Sequence, residues 1–385
     1  MEQVLIVAAE ASSALFAQRL LEQWKSEKRQ VHCFGVGSNQ MEELGFERLG
    51  KSEEMAVVGA AEIIEHYGKL RAVFNSLVEE AGKRRPRVAI VMDYPEFNLM
   101  LAKKLHALGI PVVYYISPQV WAWRKGRVET IKKYCRKIFV IFNFEVPFYQ
   151  EKKVACEFVG HPVLDELDDK FFSDSYRKIH RNQCGIEDDE IVIGLMPGSR
   201  RIEIRQHLDL QIEVARRLYK KFPKIRVLLM CAPSVDKEKL QEKLGDVRFP
   251  FMLLKDDPFE MIHLADYVLV ASGTATLQVA LLEKPMVIMY KMKWITGIIA
   301  KIFVRGVKFF GIVNLILGYE AVPERWQSGA NVEEIYRLMA RYLEDPGYTE
   351  KVRSELKKVR SHLGDRGATK RLSRALDEFF EKGSS

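Results

Sequence analysis

Short apolar runs that do not alternate with polar residues recur along this chain. They constrain its fold more than any other feature. Val4–Ala8, Val88–Met92, Val112–Ile116 and Ile138–Phe142 are brief, continuous and rich in β-branched side chains. A strand covered on both faces has this pattern, whereas a strand with one wet face alternates. Segments of helical period lie between the runs, such as Leu15–Lys25 and Leu99–Leu108; the second stops at Gly109, with Pro111 just beyond.

A charged interruption spans 165–190, and a second series follows: Ile191–Met196, Val227–Cys231, Met252–Leu254, Tyr267–Ala271 and Met286–Met289. Helices are expected at Arg205–Phe222 and Thr274–Leu282. Repeated βα units predict parallel sheets with right-handed crossovers. The expected fold class is therefore α/β, with two Rossmann-like doubly wound domains facing a cleft. The first domain is expected over 1–170, the second over 171–345, and a basic helical segment over 346–385. A length of 385 residues suits two domains.

Composition removes several classes. With 48% apolar and 29% charged residues, the chain is neither disordered nor of low complexity. The five cysteines form no C-x-x-C pair, which disfavours a disulfide framework or a structural zinc and fits a reducing compartment. The start, MEQVLIVAAE, lacks the basic and long apolar regions of a signal peptide. No uncharged apolar run reaches the roughly 18 residues needed to span a bilayer. Residues Trp294–Tyr319 mix aromatics with Lys301, Arg305 and Lys308. They read either as an interface-seeking segment or as a buried helix with snorkelling cations. The net charge of +8 suits anionic partners; no nucleic acid is expected among them.

In doubly wound folds ligands meet the carboxyl ends of the strands, so the loops there are the candidates. Pro197-Gly198-Ser199-Arg200 follows one strand and offers a close backbone and a planar cation suited to phosphate; a plain turn with a solvated Arg is the competing reading. Ser272-Gly273-Thr274 opens a helix, as an anion nest or an ordinary N-cap, with Gln278 one turn further on. G-x-G-x-x-G does not occur, which disfavours a dinucleotide enzyme. Asp93 ends another strand, where a partly desolvated carboxylate could take a proton or merely cap a turn; Glu10 competes for that role. Trp121 and Trp123 beside Arg124 could stack on a sugar, cover an acyl chain or simply pack. His161 is a weaker candidate base, more in keeping with a structural role.

In combination these loops resemble the lipid-A-disaccharide synthase family, inverting glycosyltransferases of the two-domain GT-B architecture. The resemblance rests on Ser117-Pro118-x-Val120-Trp121-Ala122-Trp123-Arg124, Asp93-x-Pro95-x-Phe97-Asn98, Phe158-Val159-Gly160-His161, Pro197–Arg200, Ala271–Ala275, Asn314 and Val322-Pro323-Glu324 with Gln327. It implies transfer from UDP-2,3-diacylglucosamine to 2,3-diacylglucosamine 1-phosphate (lipid X). The product is a β(1→6)-linked disaccharide 1-phosphate, with UDP released and neither cofactor nor metal used. It places Asp93 as base and Arg200 on the leaving UDP. Ser199, Arg200, Ser272, Gly273, Thr274, Gln278, Asn314, Glu324 and Gln327 would bind the nucleotide sugar; Glu10, Ser12, Ser117 and Trp123 would bind the acceptor. It further implies a cytoplasmic enzyme peripheral to the inner membrane, and an intertwined homodimer exchanging C-terminal parts.

The family's first loop reads G-E-x-S-G-D, and here it is Ala9-Glu10-Ala11-Ser12-Ser13-Ala14. The family's helix-borne Glu is Gln278 here. These departures keep two alternatives open: a GT-B transferase with a different acceptor, and a non-catalytic binding relative.

Overall fold

The computed structural model describes residues 1–55, 60–117, 126–232, 235–244, 247–291 and 309–381, with backbone only at 60–67, 239 and 243. The chain divides into two compact units. Met1–Asp165 with Leu363–Ser385 forms one, and Glu166–His362 the other. The first division falls five residues before the expected 170. The expected 346–385 segment is not a unit of its own, because its first helix belongs to the second unit and its last residues return to the first.

Unit 1 is built on seven parallel strands: β1 (Glu2–Ala8), β2 (Val31–Gly37), β3 (Glu47–Lys51), β4 (Val88–Met92), β5 (Val112–Tyr115), β6 (Lys137–Val140) and β7 (Cys156–Phe158). Their order is β3-β2-β1-β4-β5-β6-β7. The four runs read from the sequence are its central strands, and β4 is buried at every residue. Missing from that reading are β2, β3 and β7. The first is broken by Gly35 and Gly37, and the other two are partly exposed edges with charged residues. Helix α1 (Ala11–Ser26) buries Phe16, Leu20 and Trp24. Each such side chain contributes roughly 1.5–3 kcal/mol. Next come α2 (Asn39–Glu43), α3 (Ser52–Met55), α4 (Ala60–Arg84), α5 (Pro95–Ala107), α6 (Arg127–Tyr134) and α7 (Glu145–Glu151).

Unit 2 opens with α8 (Asp174–Gln183), inside the charged stretch taken as an interruption. Arg177 and Arg181 of that helix donate to Asp266 at 2.6 and 3.2 Å, so the charges dock it rather than solvate it. Six parallel strands follow: β8 (Ile191–Met196), β9 (Ile225–Met230), β10 (Phe251–Leu254), β11 (Tyr267–Ala271), β12 (Met286–Tyr290) and β13 (Glu324–Trp326), in the order β10-β9-β8-β11-β12-β13. The helices are α9 (Arg201–Lys221), α10 (Lys237–Leu244), α11 (Pro258–Leu264), α12 (Ala275–Leu281), α13 (Ile312–Leu317), α14 (Val332–Glu344) and α15 (Pro346–Leu363). The chain then returns to unit 1 as α16 (Ala368–Ala375) and α17 (Asp377–Glu381).

Each sheet has one switch point, where the connections leave in opposite directions. In unit 1 it lies between β1 and β4, with Ala8 beside Met92. In unit 2 it lies between β8 and β11, with Met196 beside Val270. A doubly wound sheet binds ligands outside these points. No described helix is long and apolar enough to cross a membrane.

Candidate active site

The loops nominated by the sequence flank these switch points. In unit 1, Glu10 follows β1 and Asp93 follows β4. Asp93 and Tyr94 both adopt left-handed backbone, φ +48° and +42°, as does Ile116 after β5, at +60°. Such strain in non-glycine residues persists only where surroundings enforce it, and it concentrates at functional sites. Here the enforcers are visible. The Asp93 carbonyl accepts from Tyr114 Oη at 2.5 Å and from Asn98 Nδ2 at 2.7 Å. Both donors are fully buried. The Asp93 side chain is half-buried, as are Glu10 and Ser12. Burial raises the Tyr94 phenol, and the Glu10 carboxylate raises it further, which puts the two loops in one electrostatic neighbourhood.

The altered first loop has a structural logic. Ser13 is buried, and its hydroxyl accepts from Glu10 N–H at 3.0 Å and donates to Glu10 O at 2.9 Å. Ala14 is buried as well. The Ser13 side chain therefore closes the first turn of α1 while the Ala14 methyl packs inside, so neither Cβ stands on an exposed backbone. Ser117 is also buried, with its hydroxyl bonded to Tyr149 Oη. The expectation for Trp123 lies outside the described residues.

In unit 2 the Pro197–Arg200 loop leads into α9. The sequence left its amides open to a ligand, but a carboxylate of the chain fills them. Glu203 accepts from Ser199 N at 3.1 Å and Arg200 N at 3.3 Å, and pairs with the Arg200 guanidinium at 3.3 Å. Gly198 has φ +122°, and a Cβ there would stand 2.5 Å from Glu203 Oε2, so the loop needs glycine. His207 was not singled out by sequence. It is fully buried and bonds Pro197 O at 2.8 Å and Lys291 N at 2.9 Å.

After β11, Ser272 is half-buried, while Gly273 and Thr274 are exposed. The expected Thr274 side-chain cap is not made; the Thr276 hydroxyl closes the turn onto Gly273 O at 2.7 Å. Gln278 donates to Glu166 at 3.4 Å, so its amide is engaged by a neighbouring acid. Asn314 is wholly buried and turned inward. Its amide donates to Val322 O and Glu324, and its carbonyl accepts from Ala321 N and Val322 N. That saturates it as a structural pin and leaves no free donor for a nucleotide. Glu324 accepts from Phe310 N at 2.8 Å and Gly311 N at 2.9 Å. Burial raises its carboxyl above the ordinary range despite these donors. Gln327 is half-buried, with φ +51°. At the carboxyl ends of β11, β12 and β13 lies a cavity of about 210 Å³, lined by Ser272, Tyr290, Glu324 and the stacked Phe310–Trp326 pair. His161 is buried in unit 1, and its Nδ1 accepts from Val163 N. Burial pushes its pKa down to about 3, so the ring is neutral near neutral pH.

The family model for lipid-A-disaccharide synthetase matches residues 4–376. A lipid-A-disaccharide synthase of Geobacter sulfurreducens is 36% identical over 380 residues, covering 99% of this chain and 98% of the relative. One of Myxococcus xanthus is 33% identical over 381 residues, with the same coverages. Among solved structures, the UDP-GlcNAc 2-epimerase of Neisseria meningitidis bound to UDP-GlcNAc superposes with a TM-score of 0.66 at 14% identity, covering 98% of this chain and 100% of that one. The calicheamicin glycosyltransferase CalG4 gives 0.63 at 13% identity, with both chains fully covered. At such identities the superpositions speak to the fold alone, a two-domain Rossmann-like architecture. The sequence matches go further, and by them the chain belongs to the lipid-A-disaccharide synthetase family.

Proposed function

We propose that this chain is the hexosyltransferase that joins UDP-2,3-diacylglucosamine to 2,3-diacylglucosamine 1-phosphate, forming the β(1→6) disaccharide 1-phosphate and releasing UDP. The observation that carries this reading is the match along 99% of the chain to proteins named lipid-A-disaccharide synthase. Those matches do not favour the changed-acceptor or non-catalytic alternatives.

In this reading the Asp93 carboxylate accepts the proton of the acceptor's 6-hydroxyl. The hydroxyl oxygen forms its bond to the anomeric carbon as the bond from that carbon to the UDP phosphate oxygen breaks, and the configuration inverts. The electron pair departs with UDP, whose growing charge Arg200 offsets. Such an interaction strengthens toward the transition state and so acts on turnover. Buried donors fixing the Asp93 backbone support a preorganised carboxylate. The cavity beside Phe310 and Trp326 offers an aromatic wall for the uracil ring. Glu10 and Ser12 would meet the acceptor. The reading uses no metal or cofactor.

The acyl chains of both substrates imply peripheral work at the cytoplasmic surface of the inner membrane. A homodimer that exchanges C-terminal parts would have to replace contacts that α16 and α17 make within their own chain; light scattering of the purified protein tests it. The central test is product analysis by mass spectrometry from the purified protein, UDP-diacylglucosamine and lipid X. The disaccharide 1-phosphate with equimolar UDP is expected. UDP release without disaccharide, or no turnover, overturns the reading.

A further inference from the structure

Three polar residues lie along the inward face of α9. Glu203, His207 and Gln211 are spaced four apart, and residues at that spacing share one face of a helix. The face is otherwise apolar, with Ile204, Leu208, Ala215 and Leu218 buried. His207 and Gln211 are fully buried. Polar groups are placed so deeply only when they meet partners.

Their partners lie at the end of β8 and in the loop after it, in β11 next to it and just past the end of β12. The His207 ring donates from Nδ1 to Pro197 O and accepts at Nε2 from Lys291 N, a tautomer assigned from these partners. One ring thus ties the turn to the residue following β12. Burial lowers the His207 pKa, which keeps the ring neutral and preserves this donor–acceptor pair. Gln211 donates to Met196 O at 3.3 Å and Leu269 O at 3.2 Å, across the switch point. Glu203 holds the far end of the turn through Ser199 N, Arg200 N and the guanidinium.

We infer that Glu203 and His207 are positioning residues, which hold the Pro197–Arg200 turn so that Arg200 presents its guanidinium to a departing diphosphate. The inference rests on the role given to Arg200 above. It also assigns the donors: with Glu203 on the Ser199 and Arg200 amides, the guanidinium rather than those amides meets the phosphate oxygens. Neither positioning residue touches substrate. Their leverage is geometric, since a displacement of about 1 Å in a catalytic group can cost on the order of 100-fold in rate.

The test is a double-mutant cycle. His207→Leu keeps the bulk and removes both bonding groups, while His207→Gln restores a donor and an acceptor on one amide. Turnover, KM for UDP-diacylglucosamine and the calorimetric affinity for UDP are measured for each, alone and with Arg200→Ala. The expected result is a kcat about 10- to 100-fold lower in His207→Leu, mostly regained in His207→Gln. In the Arg200→Ala background the same change should lower kcat by about twofold or less, because both act through one group. Equal losses in both backgrounds, or a normal kcat in His207→Leu, overturn the inference while leaving the reaction assignment intact. Full turnover in Arg200→Ala removes the role of Arg200 and the inference with it. Should His207→Leu fail to fold, Glu203→Gln enters the same cycle with the same expectation.

Discussion

Asp93 and Arg200 carry the proposed chemistry, and each makes its own prediction. Asp93→Asn keeps the shape of the residue and its strained backbone, whose carbonyl bonds to Tyr114 and Asn98 do not involve the carboxylate. Turnover should fall by at least 100-fold, a typical size for losing a general base, with donor KM little changed. Near-normal turnover in a steady-state assay would move the base elsewhere, with Glu10 the first alternative. Arg200→Ala should cost about 3 kcal/mol in transition-state stabilisation, seen as lower kcat more than higher KM. Both could be nominated from the sequence because each is a charged residue in the loop that follows a buried strand. Asn314, Glu324 and Gln278 were legible only as positions. Their types suit a ligand, but their partners, Val322, Phe310 and Glu166, come from loops whose course no local pattern reveals. The Ser117 hydroxyl is another such case, since its partner Tyr149 lies on α7, far along the chain.

At the scale of elements, interior strands other than the glycine-broken β2 read correctly, and of the edges only β10 did. The runs at β4, β8 and β11 have the residue limits predicted for them, because continuous apolar character is what two covered faces demand. The edge strands β3, β7 and β13 have no such demand and left no such run. Helix α9 hid its signal differently: Glu203, His207 and Gln211 keep helical spacing on the face that Ile204 and Leu208 mark as inward. Buried polar groups on that face are a signal that counting hydrophobic residues overlooks. The tail is helical as expected, but its division between the two units was not legible, because the anchor of its last part lies 202 residues earlier in the chain. Asp165 accepts from Gly367 N at 2.6 Å, Ala368 N at 3.2 Å, Thr369 N at 3.1 Å and Thr369 Oγ at 2.9 Å, capping α16 from outside the helix. Removing a cap costs about 1–2 kcal/mol, and stranded donors add to it. Asp165→Ala should therefore lower the urea midpoint and speed tryptic cleavage at Arg366 and Lys370. Unchanged cleavage would mean that the packing of Leu372 and Leu376 holds the tail without the cap.

For the whole molecule, buried histidines in both units set the response to acid. His161 in unit 1 has its pKa pushed down to about 3 by burial. His263 in unit 2 is pushed down to about 4, first by burial and then by the Lys284 and Arg177 cations. Both rings are neutral in the folded protein, whereas in the unfolded chain each takes a proton below about 6.5. Between that value and the folded pKa the unfolded state binds more protons, so stability falls as pH falls. The contribution is complete above about pH 6.5 and shrinks by about 1.4 kcal/mol per pH unit for each ring below it. The two units need not unfold together, so the cleanest test alters one ring. Among the described residues neither ring nitrogen of His263 has a hydrogen-bond partner, and the ring packs against Phe171 at 5.5 Å and Tyr176 at 5.4 Å. Phenylalanine fits that packing and cannot titrate. His263→Phe should lose less thermal stability than the parent chain between pH 7.5 and pH 5, read by scanning calorimetry, while the transition from unit 1 keeps its acid sensitivity. An equal loss in both proteins would show that His263 already carries its proton in the folded state, and the acid response would then belong to His161 and the carboxylate pairs.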